Sequence, residues 1–168
     1  MAFAFGGEKV SKSVLMSIQP KYCYHIDAGR KTIEIRKSRP KGYWSGKVYI
    51  YCTKGKDIFL GVDYDTNDNP VFIKSPGISF YGNRSVVIGE FTCRKIEQIH
   101  MDDDGDYEIS DDDLCYSVLS RRFLKEYGNG TPLYMWRISD LVIYETPKEL
   151  SEFGKTRPPQ SWCYVDKE

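Results

Sequence analysis

The chain has 168 residues, of which 40% are hydrophobic and 29% are charged, a balance typical of one globular domain and not of a disordered or membrane protein. Its 24 basic and 24 acidic residues cancel, which argues against a protein that grips duplex DNA through its overall charge. Any contact with nucleic acid would therefore depend on a local basic patch.

The amino-terminal segment contains neither the apolar core of a signal peptide nor a stretch long enough to cross a membrane. The 5 cysteines are scattered singly, and neither His25 nor His100 has a second ligand at metal-binding spacing. We therefore expect no metal, no cofactor and no membrane contact. Unpaired cysteines without an export signal indicate reduced thiols and a cytoplasmic protein.

Residues 1–12 lack periodicity and are predicted to be a flexible lead-in, which leaves residues 13–168 as the domain. The first predicted elements are a strand at 14–18, a helix at 20–29, a half-buried strand at 32–37 with one polar face, and a strand at 47–53. The next segment, 54–84, is rich in turn residues and predicts a hairpin or a long loop.

Residues 86–99 form the longest β-type run, in which Gly89 predicts a bulge or a close approach of two backbones. The acidic segment that starts at residue 101 is predicted to be a solvated loop, because it lacks the register of a calcium loop. Later predictions are a helix at 113–127 capped by Gly128, a strand or strand pair at 133–144, a helical turn at 147–153 and an edge strand in the tail. Many strands and two main helices predict an α+β domain whose mixed sheet curls into a small β-barrel.

The densest polar segment is residues 29–37, GRKTIEIRK, where the first helix gives way to the second strand. Because side chains alternate along a strand, Thr32, Glu34 and Arg36 share one face, with Lys31 at its mouth. Lysine and arginine can hold a phosphate, while glutamate and threonine can read the edge of a base. We predict that these four residues line one cleft in which Glu34 is held by Lys31 or Arg36.

If this assignment is correct, Glu34→Gln should spare the fold and weaken ligand recognition, whereas Ile35→Ala should do the reverse. The alternative is a solvated outer face of an edge strand, on which Glu34 and Arg36 only pair in water. A second basic group, Arg121, Arg122 and Lys125, either contacts phosphates or forms an ordinary solvated helix face.

Residues 17–22 (SIQPKY) followed by residues 28–36 (AGRKTIEIR) resemble the signature of the ASCH family. In that family a strand, a helix, a G-x-K-T turn and an E-x-R strand follow one another. Further segments resemble later parts of prophage-type ASCH proteins, at residues 48–52, 89–91, 136–141 and 157–162. The resemblance implies a PUA-like pseudobarrel with a cleft beside the first helix, similar to RNA-binding PUA domains and to readers of methylated bases.

The resemblance thus implies a binding module for RNA or modified nucleotides. Besides the four cleft residues, Gln19, Tyr22, Trp136, Gln160 and Trp162 are expected to contact the ligand. One of the two tryptophans would line the cleft and stack on a base, the alternative for each being packing in the core or at its rim. Gln160 would read a base edge through its amide or cap a turn.

One branch of the family hydrolyses acetylated cytidine with a lysine and a threonine from a G-x-K-T-x-T turn and a glutamate elsewhere. This chain keeps Lys31 and Thr32 but has Glu34 at the nucleophile position, where a carboxylate would require another mechanism. The second hypothesis is therefore a hydrolase of acylated nucleosides, with Glu34 as general base and Lys31 stabilising an oxyanion. A third is a phage protein that binds a host protein. We expect a monomer.

Overall fold

A computed structural model describes residues 12–54 and 85–166, together with the backbone of two short strands between them. Nearly all of the predicted lead-in lies outside the described residues, and so does most of the segment 54–84. In chain order the elements are β1 (Ser13–Ile18), α1 (Pro20–Asp27), β2 (Ile33–Arg36), β3 (Gly46–Cys52), β4 (Val62–Tyr64), β5 (Pro70–Phe72), β6 (Val86–Cys93), β7 (Ile96–Ile99), α2 (Asp111–Ser117), α3 (Arg121–Gly128), β8 (Leu133–Arg137), β9 (Ser139–Lys148) and β10 (Trp162–Val165).

Two sheets carry the fold. The larger one has the strand order β10-β1-β3-β6-β9, in which only β1 and β3 run parallel. The smaller one is antiparallel with the order β2-β8-β7, and β4 and β5 pair as the predicted hairpin. The α+β class with a mixed sheet is thereby confirmed, as is the edge strand in the tail, which is β10.

Strand β2 lies between two layers of the core, one on each face of the smaller sheet. Ile33 and Ile35 pack with Leu124 of α3 on one side of the smaller sheet, as the alternation predicts. On the other side, Trp136 of β8 packs with Trp44 and with residues of the larger sheet. All four residues of β2 are buried, so the prediction of a half-buried strand is wrong, because neighbouring layers cover both faces. The predicted polar face is present, since Glu34 and Arg36 pair with each other while the two isoleucines pack in the core.

Two predicted elements are each divided in the structure. The run 86–99 is two strands, β6 in the larger sheet and β7 in the smaller one, separated by Arg94 and Lys95. The helix predicted at 113–127 is α2 and α3, because Val118 adopts a left-handed conformation with φ 59°. The side chains of Ser110 and Ser120 cap the two helices.

Two glycines allow close packing. Gly89 lies at register shifts of β6, and a Cβ there would overlap the Val142 carbonyl oxygen, so the predicted bulge and close approach are confirmed. Gly128 is the last residue of α3 and not its cap: a Cβ would overlap the Tyr107 hydroxyl, and Asn129 (φ 47°) ends the helix instead.

The predicted turn at 147–153 is shorter, a 3₁₀ turn at Leu150–Phe153. None of the helices described here has both the length and the apolar character needed to cross a membrane.

Candidate functional site

A cavity of about 340 Å³, hereafter the first cavity, lies where α1, β2 and α3 meet. It combines charged, polar and aromatic side chains from distant parts of the chain. Its lining residues are Ser17, Gln19, Tyr22, Lys31, Glu34, Arg36, Thr53, Leu119, Phe123, Tyr127 and Gln160. The size is within the range of pockets that enclose small molecules.

Three of these residues, Lys31, Glu34 and Arg36, form what we call the buried ion cluster. Lys31 Nζ lies 3.1 Å from Glu34 Oε2, and Arg36 Nε lies 2.9 Å from Glu34 Oε1. Their side chains are only 1%, 7% and 11% exposed, respectively. The predicted cleft geometry, with Glu34 held by neighbouring cations, is confirmed for these three residues, and the solvated outer face is excluded.

The two cations of the cluster, Lys31 and Arg36, also donate hydrogen bonds to backbone carbonyl oxygens. Lys31 Nζ donates to the carbonyl oxygens of Ile33 (2.8 Å) and Ser117 (2.7 Å), which leaves one of its three donors for Glu34 or a ligand. Burial lowers the pKa of Lys31, and the Glu34 carboxylate opposes that shift only in part. Arg36 donates to the Ser17 carbonyl oxygen at 2.6 Å. Both cations are therefore fixed in position before any ligand arrives.

Glu34 is the acceptor of the cavity. Burial alone would raise its pKa, but the attraction of Lys31 and Arg36 outweighs burial and holds the pKa below its ordinary value. The group is therefore ionised at neutral pH and can only accept hydrogen bonds. Its Oε2 atom lies 3.1 Å from Lys31 Nζ and accepts no hydrogen bond from any other residue that the structure describes. A ligand with an N–H or O–H donor would complement it.

Aromatic rings form a second wall. Phe123 and Tyr127, one helical turn apart on α3, stack with ring centroids 5.7 Å apart and planes 15° apart. Lys37 Nζ lies 5.0 Å from the Tyr127 centroid, and Lys21 Nζ lies 4.7 Å from that of Tyr22. Neither lysine forms an ion pair within residues 12–54 and 85–166. The rim thus carries two cations that are free to meet an anion.

Six of the nine predicted contact residues line the first cavity, namely Gln19, Tyr22, Lys31, Glu34, Arg36 and Gln160. Thr32 does not, because it precedes the first residue of β2 and its backbone is held by Tyr116 and Ile138. Strand β2 begins only at Ile33, so its alternation does not fix the position of the Thr32 side chain.

Neither tryptophan lines the first cavity, contrary to the prediction that one of them would. Trp136 lies directly opposite Glu34 in the sheet register, but its ring is completely buried between those of Trp44 and Trp162. Trp162 is half-buried and donates from its indole nitrogen to Ser38 Oγ at 2.9 Å. Packing in the core and at its rim, the alternative weighed for each, describes both residues.

Sequence reasoning missed five lining residues, including the aromatic pair on α3. A signal existed, because Phe123 and Tyr127 are four residues apart and so share a helix face. The helix was instead interpreted through its cations, which all meet carboxylates at the surface: Arg121 with Asp111, Arg122 with Glu126, and Lys125 with Asp106.

No protein-family model and no curated protein matches the sequence. Among solved structures, the chain is similar to the ASCH protein from Zymomonas mobilis, with 20% sequence identity, a TM-score of 0.58, and coverage of 93% of this chain and 89% of that one. Two mutant forms of the same protein match at TM-scores of 0.58 and 0.57, also with 20% identity over 93% of this chain and 89% and 91% of theirs. The chain therefore has the ASCH fold that its motifs predicted.

Proposed function

We propose that this chain is a binding module that holds an unpaired base of RNA, or a modified nucleotide, in the first cavity. The observation that carries the proposal is the presence, in one cavity, of the ionised Glu34 and the stacked rings of Phe123 and Tyr127. A carboxylate accepts N–H donors from a base edge, and aromatic rings stack on a base face. The two features thus meet the two kinds of surface that a nucleobase presents.

The charges around the cavity agree with this ligand. Lys21 and Lys37 lie over aromatic rings of the lining and carry no carboxylate partner among the described residues, so they can contact phosphate. Because the net charge of the chain is zero, affinity has to come from such local cations. The resemblance of the sequence motifs to PUA-like RNA-binding domains also supports a nucleic-acid ligand.

Titration of the protein with single-stranded RNA and with nucleosides, at two salt concentrations, tests the proposal. We expect saturable binding at low salt. Phe123→Ala should weaken it by roughly 1–3 kcal/mol through lost stacking. The matched control is Tyr116→Ala, since Tyr116 is exposed on α2 and does not line the cavity. Absence of saturable binding at low salt would contradict the proposal.

Hydrolysis of acylated nucleosides stays the competing hypothesis. Two observations weigh against it. Lys31 already donates two of its three hydrogen bonds to backbone carbonyl oxygens, and the lowered pKa makes Glu34 a weak base. Incubation with N4-acetylcytidine, followed by chromatography, separates the two functions. Turnover that Lys31→Ala abolishes would favour the enzyme. A cytoplasmic location, a monomeric state, a phage origin and a host-protein partner remain predictions from the sequence.

A further inference from the structure

A second cavity, of about 330 Å³, lies beside the loop that joins β2 to β3, and Arg39, Tyr43, Trp44, Lys95 and Gln98 contribute to its lining. We propose that this second cavity is a subsite for a neighbouring nucleotide of the same strand. The ligand would then be a single-stranded oligonucleotide and not a free nucleoside. The inference rests on the proposed function of the first cavity.

The charge of the loop supports an anionic strand as the occupant. Residues 37–47, KSRPKGYWSGK, contain four cationic and no acidic side chains. Lys47 pairs with Glu90, but Lys37, Arg39 and Lys41 form no ion pair with any residue that the structure describes. On α3, by contrast, all three cations are paired with carboxylates. Phosphate groups of a bound strand would provide the missing counter-charge.

Tyr43 supplies the surface on which a base can stack. Its side chain is 91% exposed, and no ring contact or hydrogen bond joins it to another described residue. The loop around it is nevertheless fixed: Arg39 Nη1 donates to the Gly42 carbonyl oxygen at 2.8 Å, and Gly42 adopts φ 68°. Next to it, the buried Trp44 donates to the Lys12 carbonyl oxygen at 3.0 Å. Tyr43 is thus a stacking platform whose backbone is held in place, so that only its ring has to be ordered when a base binds.

The connection from β2 to β3 contributes residues to both cavities. Arg36 lines the first cavity and Arg39 lines the second. Three residues of fully extended chain span at most about 11 Å, so the Cα atoms of these arginines cannot be farther apart. Lys37 lies between them in sequence, over the Tyr127 ring of the first cavity. In the proposed arrangement, a single strand follows residues 36–39, with one base in each cavity and a phosphate beside the intervening cations.

Fluorescence anisotropy with a labelled mononucleotide, a single-stranded RNA tetranucleotide and an RNA duplex tests the inference on the full chain. Tyr43→Ala should weaken tetranucleotide binding about fivefold or more and leave mononucleotide binding unchanged, while Tyr43→Phe should bind like the wild type. Combining Lys37→Gln with Lys41→Gln should reduce the slope of log K against log salt by about 0.7 per lysine. Tyr116→Ala is again the control for an exposed ring elsewhere.

The outcomes separate this inference from the proposed function. If Tyr43→Ala binds the tetranucleotide like the wild type while Phe123→Ala does not, the subsite is overturned and the first cavity keeps its role. If Phe123→Ala has no effect on any ligand but Tyr43→Ala does, the proposed function fails, and with it the role of the second cavity as a neighbouring subsite. Equal affinity for duplex and single strand would show attraction to phosphate without base contact and would overturn the subsite.

Discussion

Helix α3 borders two groups of ion pairs that have the same chemistry and opposite surroundings. Its aromatic face meets the first cavity, where Lys31, Glu34 and Arg36 form the buried ion cluster. The three cations of α3 itself form what we call the surface pairs, Arg121–Asp111, Arg122–Glu126 and Lys125–Asp106. Side chains of the cluster are at most 11% exposed, and those of the surface pairs are 53–93% exposed.

The comparison indicates that burial, and not the number of charges, decides how an ion pair affects the stability of the fold. Water and salt screen the surface pairs, so each adds little to stability. Removing the three charges of the cluster from water is expensive, and apolar residues of similar size would often stabilise a fold more. Charged groups buried at the wall of a cavity are a common feature of binding sites, which agrees with the role in ligand binding proposed above.

Removal of Glu34 should have the largest effect. Glu34→Gln leaves Lys31 and Arg36 buried without a counter-charge, and breaking a buried pair in this way costs about 3–5 kcal/mol. Urea denaturation followed by circular dichroism measures the loss. This revises the sequence-based expectation that the substitution spares the fold, because that expectation placed Glu34 on a half-buried strand.

Glu126→Gln is the matched control, since Glu126 has the same chemistry but belongs to a surface pair. Its cost should stay within about 0.5 kcal/mol. Equal losses for the two substitutions would contradict the comparison. If the folded fraction of Glu34→Gln bound ligand with unchanged affinity, Glu34 would be only a structural partner of the two cations. The assignment of Glu34 as a ligand-binding residue would then be wrong.

Ile35→Ala separates packing from charge on the same strand. Ile35 is 4% exposed and faces the core on the side opposite to Glu34, so its truncation should cost roughly 2–5 kcal/mol through a cavity. Affinity per folded molecule should not change. Denaturation and ligand titration on one preparation measure both quantities, and Ile35→Val, which removes only one methyl group, should cost about 0.5–1.5 kcal/mol. A large loss of affinity would show that the cavity depends on the core behind it.

Acidification should weaken the buried ion cluster selectively. The pKa of Glu34 is lower in the folded chain than its ordinary value of 4.5, so its contribution is fully present above that value. It is lost as the pH falls through the folded pKa. The difference in unfolding free energy between wild type and Glu34→Gln should therefore be constant near neutrality and shrink below about pH 4.5. Other carboxylates cancel in this difference, and a difference that stays constant down to pH 3 would contradict the assignment.

The sequence was most informative where contacts are local. Strand alternation and the short distance along the chain identified Glu34 together with both of its cationic partners. The aromatic wall was missed although Phe123 and Tyr127 are four residues apart and share a helix face, because the helix was interpreted through its cations. Trp136 could not be assigned to core or cleft, since its burial depends on how two sheets pack together. The platform at Tyr43 depends likewise on the anchoring of Trp44 by a distant backbone carbonyl.

The smallest effect should come from Arg122, which lies four residues before Glu126 on α3. The pair is 2.9 Å apart with side chains 88% and 64% exposed, and its order along the helix is the less favourable one for such pairs. Arg122→Gln should therefore change the unfolding free energy by less than about 0.5 kcal/mol. Urea denaturation at low salt and at high salt measures this, and the small difference should vanish at high salt because the charges are screened. A loss that persists at high salt would mean that the surface pairs hold α3, and with it Phe123 and Tyr127, in place. Burial would then no longer separate the two groups of ion pairs.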